Sequence, residues 1–304
     1  MIRYFLTAIC LWSTLSGVGV ATAGTLVDAT GEEVTVTSSQ RIVAVGGSVT
    51  EIVFALGEER RLLAVDSTSL YPDQVSELPN VGYMRQLSAE PILALNPDLV
   101  LAIKDSGPPA ALDQLRDAGV AVVIVPDDYT PDGVLAKIDV IAAALGIEEK
   151  GAALHDGVAA RLDAVKQTFG TLTDRPRVLF MLTISKGRTA MAAGLNTSAA
   201  GIIGLAGGVN AVDGFESYKP LSPEAAVAAA PDYLLITRRS LDLLGGKEAL
   251  LSIPEIALTA AAQEDRVIVM DGLLLLGFGP RTPQAATELG TALHPQVTLP
   301  ARLQ

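Results

Sequence analysis

Two similar stretches of this chain of 304 residues set a tyrosine just before a cation. The first pair is Tyr83 and Arg85, in Gly82-Tyr83-Met84-Arg85; the second is Tyr218 and Lys219. Each pair leads into Leu-Ser-x-Glu, ending at Glu90 and Glu224, and then into Pro-Asp before an apolar run. A phenol ionises near pH ~10, and a neighbouring cation favours the phenolate, a hard oxygen donor. In an extended segment residues i and i+2 share a face, so Arg85 is expected to reach the Tyr83 oxygen. Spacing alone leaves the plainer alternative open, a loop tyrosine beside an unrelated surface arginine.

Other chemistries find little support. The only cysteine, Cys10, lies in the N-terminal segment, so the rest of the chain has no thiol nucleophile, thiolate metal site or disulfide. The two histidines, His155 and His294, are far apart, and neither stands in a stretch expected to border a cleft. That argues against zinc and against a Ser-His-Asp catalyst. The chain contains no G-x-G-x-x-G, no Walker A sequence and no G-x-S-x-G elbow. Gly46-Gly47-Ser48 after a strand is a weak phosphate-like signal, better read as the start of a helix. No nucleophile–base pair is visible, so the chain does not read as an enzyme.

The elements that must hold these residues alternate in type. "RIVAV" from Arg41, "LLAVD" ending at Asp66, "LVLAI", "VAVVIVP", "YLLIT" and "RVIVMDG" read as buried strands. Ser48-Val49-Thr50-Glu51 reads as a capping box opening a helix through Leu56, and "AEPILALN" as a short helix with Pro91 in its first turn. Strands alternating with helices predict parallel sheets. The order also repeats. Arg41 is matched by Arg177, Leu87 by Leu221 and Pro97 by Pro231, with spacings that agree within two residues. "VNAVD" ending at Asp213 matches "LLAVD" only if the second copy carries an insertion. The chain is therefore read as two similar parallel-sheet α/β lobes, 24–131 and 171–304. Residues 132–170 have helical spacing and are expected to form a stiff helical connection. Ligands of open α/β sheets sit beyond the carboxyl ends of the strands, so Tyr83 and Tyr218 are expected at the rim of a shared cleft.

The first 23 residues read as a cleaved export signal. Arg3 precedes an apolar run from Tyr4 to about Trp12, and Ala21-Thr22-Ala23 fits a small-x-small cleavage site. Ile9 is too bulky for Cys10 to serve as a lipoprotein cysteine. With 34 Asp+Glu against 22 Lys+Arg and a net charge of −12, the chain is a poor partner for nucleic acid or anionic membrane.

"STSLYPDQVSELPNVGYMRQLSAE", "FESYKPLSPEAA", "LDLLGG" and "LLLLGFGPRTPQ" together resemble the haem-carrying periplasmic binding proteins of ABC importers. The likeness runs through nearly all of the mature chain, in order. It implies two α/β lobes joined by a helix, a periplasmic location, a monomeric carrier and ferric haem b as the transported ligand. It also implies a membrane permease as partner and an outer-membrane haem receptor system upstream. The Gly-Tyr-x-Arg stretch would supply the iron ligand, Tyr83, with Arg85 beside it; haem iron is held by Tyr in other proteins. Tyr218 would pack on the porphyrin, with Lys219 its neighbouring cation. Aligned on the family's pattern, Arg239 is the propionate cation; Arg238, Lys104 and Arg281 are the other candidates. Glu90 and Glu224 would dock the two lobes on the permease. The broader family includes siderophore and cobalamin carriers, in which Tyr83 and Arg85 would touch ligand without bonding to iron.

Overall fold

The computed structural model describes residues 24–182, 191–254 and 256–304; the leader read at 1–23 lies outside them. A hairpin of β1 (Gly24–Val27) and β2 (Glu33–Val36) comes first. Then β3 (Ile42–Val45), α1 (Gly47–Ala55), β4 (Leu62–Val65), α2 (Ala89–Leu93), β5 (Leu99–Ile103), α3 (Pro109–Asp117) and β6 (Ala121–Val125) alternate. Their strands lie in the order β4-β3-β5-β6, all neighbours parallel. Every residue of β3 and β5 is buried, as strands covered on both faces require.

After α4 (Pro131–Leu145) and α5 (Glu148–Phe169) the second sheet begins. It contains β7 (Arg177–Leu182), β8 (Met191–Ala193), β9 (Val209–Asn210), β10 (Tyr218–Pro220), β11 (Tyr233–Thr237) and β12 (Val267–Met270). Its helices are α6 (Ser198–Leu205), α7 (Pro223–Ala228), α8 (Arg238–Leu244), α9 (Lys247–Leu251), α10 (Ala260–Gln263), α11 (Gly272–Leu276) and α12 (Thr282–Leu293). β9, β7, β11 and β12 are parallel, like the first sheet. β8 and β10 are added antiparallel at the β7 edge. Here lies the insertion that the repeat demanded: α1 starts two residues after β3, whereas α6 starts only after β8.

The repeated words have a structural job. In the first lobe the Arg41 amide donates to Asp98 Oδ1 at 3.0 Å, and Arg41 Nε donates to the Asn96 carbonyl at 2.8 Å. In the second, the Arg177 amide donates to Asp232 Oδ2 at 2.7 Å, and Arg177 Nε to the Ala229 carbonyl at 2.8 Å. Each pair ties the start of one central strand to the start of the next, and so satisfies backbone groups that would otherwise be orphaned.

The helical stretch from 132 to 170 divides into two helices. α4 stops at Gly146, whose left-handed φ of 65° suits a helix C-cap. α5 runs back along it: a Cβ on Gly151 would lie 2.3 Å from the Ala142 Cβ, so only glycine permits the crossing. α4 packs on β1, α1 and β6, and α5 on α12 and α6.

One further expectation fails. α1 has Gly46, not Ser48, as its N-cap, and no side chain caps it. Gly46 takes φ 115°, which a serine would not adopt easily. Glu51 therefore closes no capping box. It turns inward, nearly buried, and pairs with Arg281 from the other lobe. Burial raises its pKa, Arg281 opposes that rise, and Asp271 adds to it. Lys137, fully buried on α4, spans the same seam: its Nζ lies 2.6 Å from Asp127 Oδ1 and donates to the Phe278 carbonyl at 3.2 Å. Burial pulls the Lys137 pKa down, and Asp127 works against that. Buried charges persist only when paired in this way.

Candidate functional site

The loops beyond the carboxyl ends of the strands meet across a cleft of about 550 Å³, where open α/β sheets place ligands. From the first lobe come Gly47 and Ser48 after β3, Thr68 and Leu70 after β4, Tyr83 to Arg85 in the long loop before α2, and Asp127 and Tyr129 after β6. From the second come Leu182, Ser198 and Tyr218, then Thr237 and Arg239 after β11, and Gly272, Leu273, Leu276 and Gly277 after β12.

Tyr83 is held by its loop. Gly82 before it has φ 96°, which explains why a glycine stands there. The Ser67 amide donates to the Gly82 carbonyl at 2.8 Å, and the Gly107 amide to the Met84 carbonyl at 2.9 Å. Met84 is buried while Tyr83 remains 39% exposed. Arg85 Nη1 donates to the Tyr83 hydroxyl oxygen at 2.9 Å. The contact is the one anticipated, but its geometry is different. The segment is not extended; a turn closed by the Gln86 amide on the Tyr83 carbonyl, at 2.8 Å, folds Arg85 back. Burial works against the Arg85 charge, but the hydrogen bond to Tyr83 and the charges of Tyr83, Tyr129 and Asp105 outweigh it, so the guanidinium holds its proton more firmly than usual.

Tyr218 faces the cleft from the opposite lobe, also after a residue of positive φ, Ser217 at 67°. Its hydroxyl lies 3.2 Å from Ser198 Oγ, and its ring meets Phe180 edge-on at 6.3 Å. Burial raises its pKa, with the hydrogen bonds from Ser198, Ala199 and Thr197 opposing. Lys219 does not join it. Alternate residues of β10 point to opposite faces, and Lys219 instead lies over the Phe215 ring, 5.4 Å from its centre, outside the cleft lining.

The cations sort themselves clearly. Arg239 lines the cleft, is exposed, and has no partner among the described residues. Arg238 and Lys104 do not line it. Nor does Arg281, which was expected near the propionates. Its guanidinium is engaged by the Glu51 carboxylate and stacks on the Tyr71 ring, 3.5 Å from the centroid. A cation already paired with a buried carboxylate is a structural element of the lobe seam. His155 lies against Asp139 on the α4–α5 hairpin, and His294 is buried beside Phe169. No cluster of three or more His, Cys, Asp or Glu suited to a metal occurs among the described residues.

Sequence reasoning missed Tyr129. It lies in the cleft next to Asp127, 3.4 Å from its carboxylate, with its ring edge-on to Phe278. Burial pushes its pKa well above the ordinary value, Asp127 and Tyr218 add to this, and Arg85 opposes it. Its place directly after the "VAVVIVP" strand was the available signal, by the strand-end rule used for Tyr83. Among the described residues, Tyr83 is the one of the three cleft tyrosines with a guanidinium on its oxygen.

Glu90 and Glu224 stand outside the cleft, exposed in the first turns of α2 and α7. Backbone and Ser222 hydrogen bonds hold the Glu224 carboxyl below its usual pKa.

Residues 42–273 match the periplasmic binding protein family. Among solved structures, the periplasmic haem-binding protein RhuT from Roseiflexus sp. RS-1, in apo form, is 43% identical with a TM-score of 0.81, covering 85% of this chain and 99% of that one. The periplasmic haem-binding protein BhuT, in complex with two haems, is 42% identical with a TM-score of 0.79, covering 84% and 100%. The vitamin B12-binding protein of Vibrio campbellii is 26% identical over 204 residues, 67% of this chain and 72% of that one.

Proposed function

This chain belongs to the periplasmic binding protein family, and from that premise we propose that it binds ferric haem between its lobes and delivers it to the permease of an ABC importer. The observation that carries the reading is the 2.9 Å hydrogen bond from Arg85 to the Tyr83 oxygen at the cleft. Ferric iron takes a hard oxygen ligand, and a phenolate bound to it keeps negative charge on the oxygen. A guanidinium already donating to that atom stabilises the ligated form. Structures named as haem-binding, 43% and 42% identical and matched over most of both chains, support the cargo.

In this reading Tyr83 is the axial ligand and Arg85 its hydrogen-bond donor. Tyr218 and Tyr129 border the porphyrin as neutral phenols, Leu70, Leu182 and Leu273 supply apolar wall, and Arg239 takes a propionate. Lys219 and Arg281 have no part in it. Glu90 and Glu224 dock the two lobes on a permease of matching symmetry, where such charges orient the complex more than they tighten it. The protein works in the periplasm as a monomer, downstream of an outer-membrane receptor.

A second reading follows from the vitamin B12-binding relatives: a cobalamin carrier, with Tyr83 and Arg85 touching ligand without a metal bond. Titration of the purified protein with haemin and with cyanocobalamin separates the two. Haem binding gives a shifted Soret band with high-spin charge-transfer features. Unchanged haemin bands together with saturable uptake of the corrinoid would transfer the assignment to cobalamin.

A further inference from the structure

The stretch from Asp271 to Arg281 has two sides. One lines the cleft through Gly272, Leu273, Leu276 and Gly277. The other is fastened to the first lobe and to α4. Leu273 abuts the start of α1, where a Cβ on Gly47 would lie 2.5 Å from its Cδ1. Gly279 lies on the same helix: a Cβ there would come 2.8 Å from Glu51 Oε2 and 3.4 Å from the Ser48 Cβ. Phe278, 1% exposed, sets its ring edge-on to Tyr129 at 5.5 Å, and its carbonyl accepts from Lys137 Nζ at 3.2 Å. Arg281 ends the stretch between two first-lobe groups, the Glu51 carboxylate and the Tyr71 ring.

Apolar packing is non-directional and would let the two surfaces slide. The ion pair and the Lys137 hydrogen bond are directional, so they fix a register. Stability is not what the pair chiefly supplies. Burial raises the Glu51 pKa by more than Arg281 lowers it, and Arg281 Nη2 is buried with no hydrogen-bond partner among the described residues. A buried pair of this kind costs about as much as it returns, whereas removing one partner leaves a buried charge uncompensated. At this seam such a charge regains water when the lobes part.

We propose that Glu51 and Arg281 are positioning residues of the cleft: with Lys137 they pin the 271–281 stretch against α1 and so hold the ligand-free lobes at the separation a ligand needs. Arg281 touches no ligand in the haem reading, and the inference goes beyond that reading because it concerns the empty protein and applies to either cargo. Partial opening lowers the fraction of molecules competent to bind, and apparent affinity falls by that fraction.

The test measures the distance between the lobes without ligand. Spin labels are placed at Asp117→Cys on α3 and Gln263→Cys on α10, both exposed, with Cys10, the only natural cysteine, replaced by Ser. The labelled parent is expected to give one narrow distance. Glu51→Gln and Arg281→Met should each add a longer one, and Arg281→Lys, which keeps the charge, should restore most of the short one. Haemin affinity should fall with the open fraction, about tenfold where about a tenth of the molecules stay closed, while the spectrum of the bound form is unchanged. The short distance alone in both Glu51→Gln and Arg281→Met overturns the proposal, and so does an affinity loss unrelated to the open fraction. If circular dichroism shows that neither variant folds, Arg281→Lys and Lys137→Met decide in the same way: Lys137→Met should add the longer distance, and the short distance alone there overturns the proposal. A parent protein that leaves the haemin spectrum unchanged would overturn the haem reading, and the ligand-free distances would still decide the positioning role.

Discussion

In the first lobe the tyrosine follows Gly82 and begins a turn; in the second it follows Ser217 and begins a strand. Both preceding residues have positive φ, so the chain arrives at the two tyrosines in similar fashion. What differs is the next step. The turn at Tyr83–Gln86 folds Arg85 back onto the phenol oxygen. β10 pairs with β8, and the alternation of a strand sends Lys219 to the other face. The Tyr218 hydroxyl is left to Ser198. Equivalent words thus produce one phenol that accepts from a guanidinium and one whose hydroxyl meets Ser198. The β8–β10 addition to the second sheet is the physical source of the asymmetry.

The largest expected effect comes from removing the poised phenol. Tyr83→Ala should abolish the shifted Soret band and weaken haemin binding by more than about 100-fold, since even residues behind a metal ligand contribute about 10–100-fold. A wild-type spectrum in that variant would mean that the lobes do not differ as proposed. The converse change targets what the lobes share. Glu90→Ala combined with Glu224→Ala should leave the haemin spectrum intact and abolish haem-stimulated transport in vesicles holding the cognate permease; normal transport would return both acids to favouring their helix N-termini, worth only about 0.3–1 kcal/mol.

Smaller effects sharpen the comparison. Arg85→Ala should retain the tyrosine-ligated spectrum but weaken binding about tenfold, as loss of a charge-assisted hydrogen bond worth roughly 1.5–3 kcal/mol implies; equilibrium titration against wild type measures it. Tyr218→Phe keeps the ring and removes one neutral hydrogen bond, so the change should be about 1 kcal/mol or less, with no spectral shift. Lys219→Ala should change neither affinity nor spectrum. A loss with Lys219→Ala equal to that with Arg85→Ala would make the second pair a true counterpart of the first.

Much of the architecture was legible in the residues. The strands from "RIVAV" to "YLLIT" formed where their apolar runs stood, because a run covered on both faces has few alternatives; "RVIVMDG" also formed a strand, but at the end of its sheet and only half-buried. The doubled Arg and Pro-Asp words reported a doubled lobe, and the misfit of "VNAVD" reported the insertion before α6. The capping box at Ser48 failed because Glu51, read as a local partner, found a distant one. Tyr129 follows a strand end but belongs to no repeated word, and its importance lies in which loops it meets.

Local pattern by itself determined the strands and the repeat, since these depend on neighbours a few residues apart and on the period of the backbone; it placed Arg85 near Tyr83, but through an extended segment where the fold uses a turn. Only the tertiary structure decided which cations remained for a ligand. Arg239 and Arg281 read alike in the sequence, each after an apolar run. Arg281 is paired because Glu51, 230 residues away, is buried beside it, and a buried carboxylate must have a counter-charge. Arg239 faces the open cleft, where no described acid claims it.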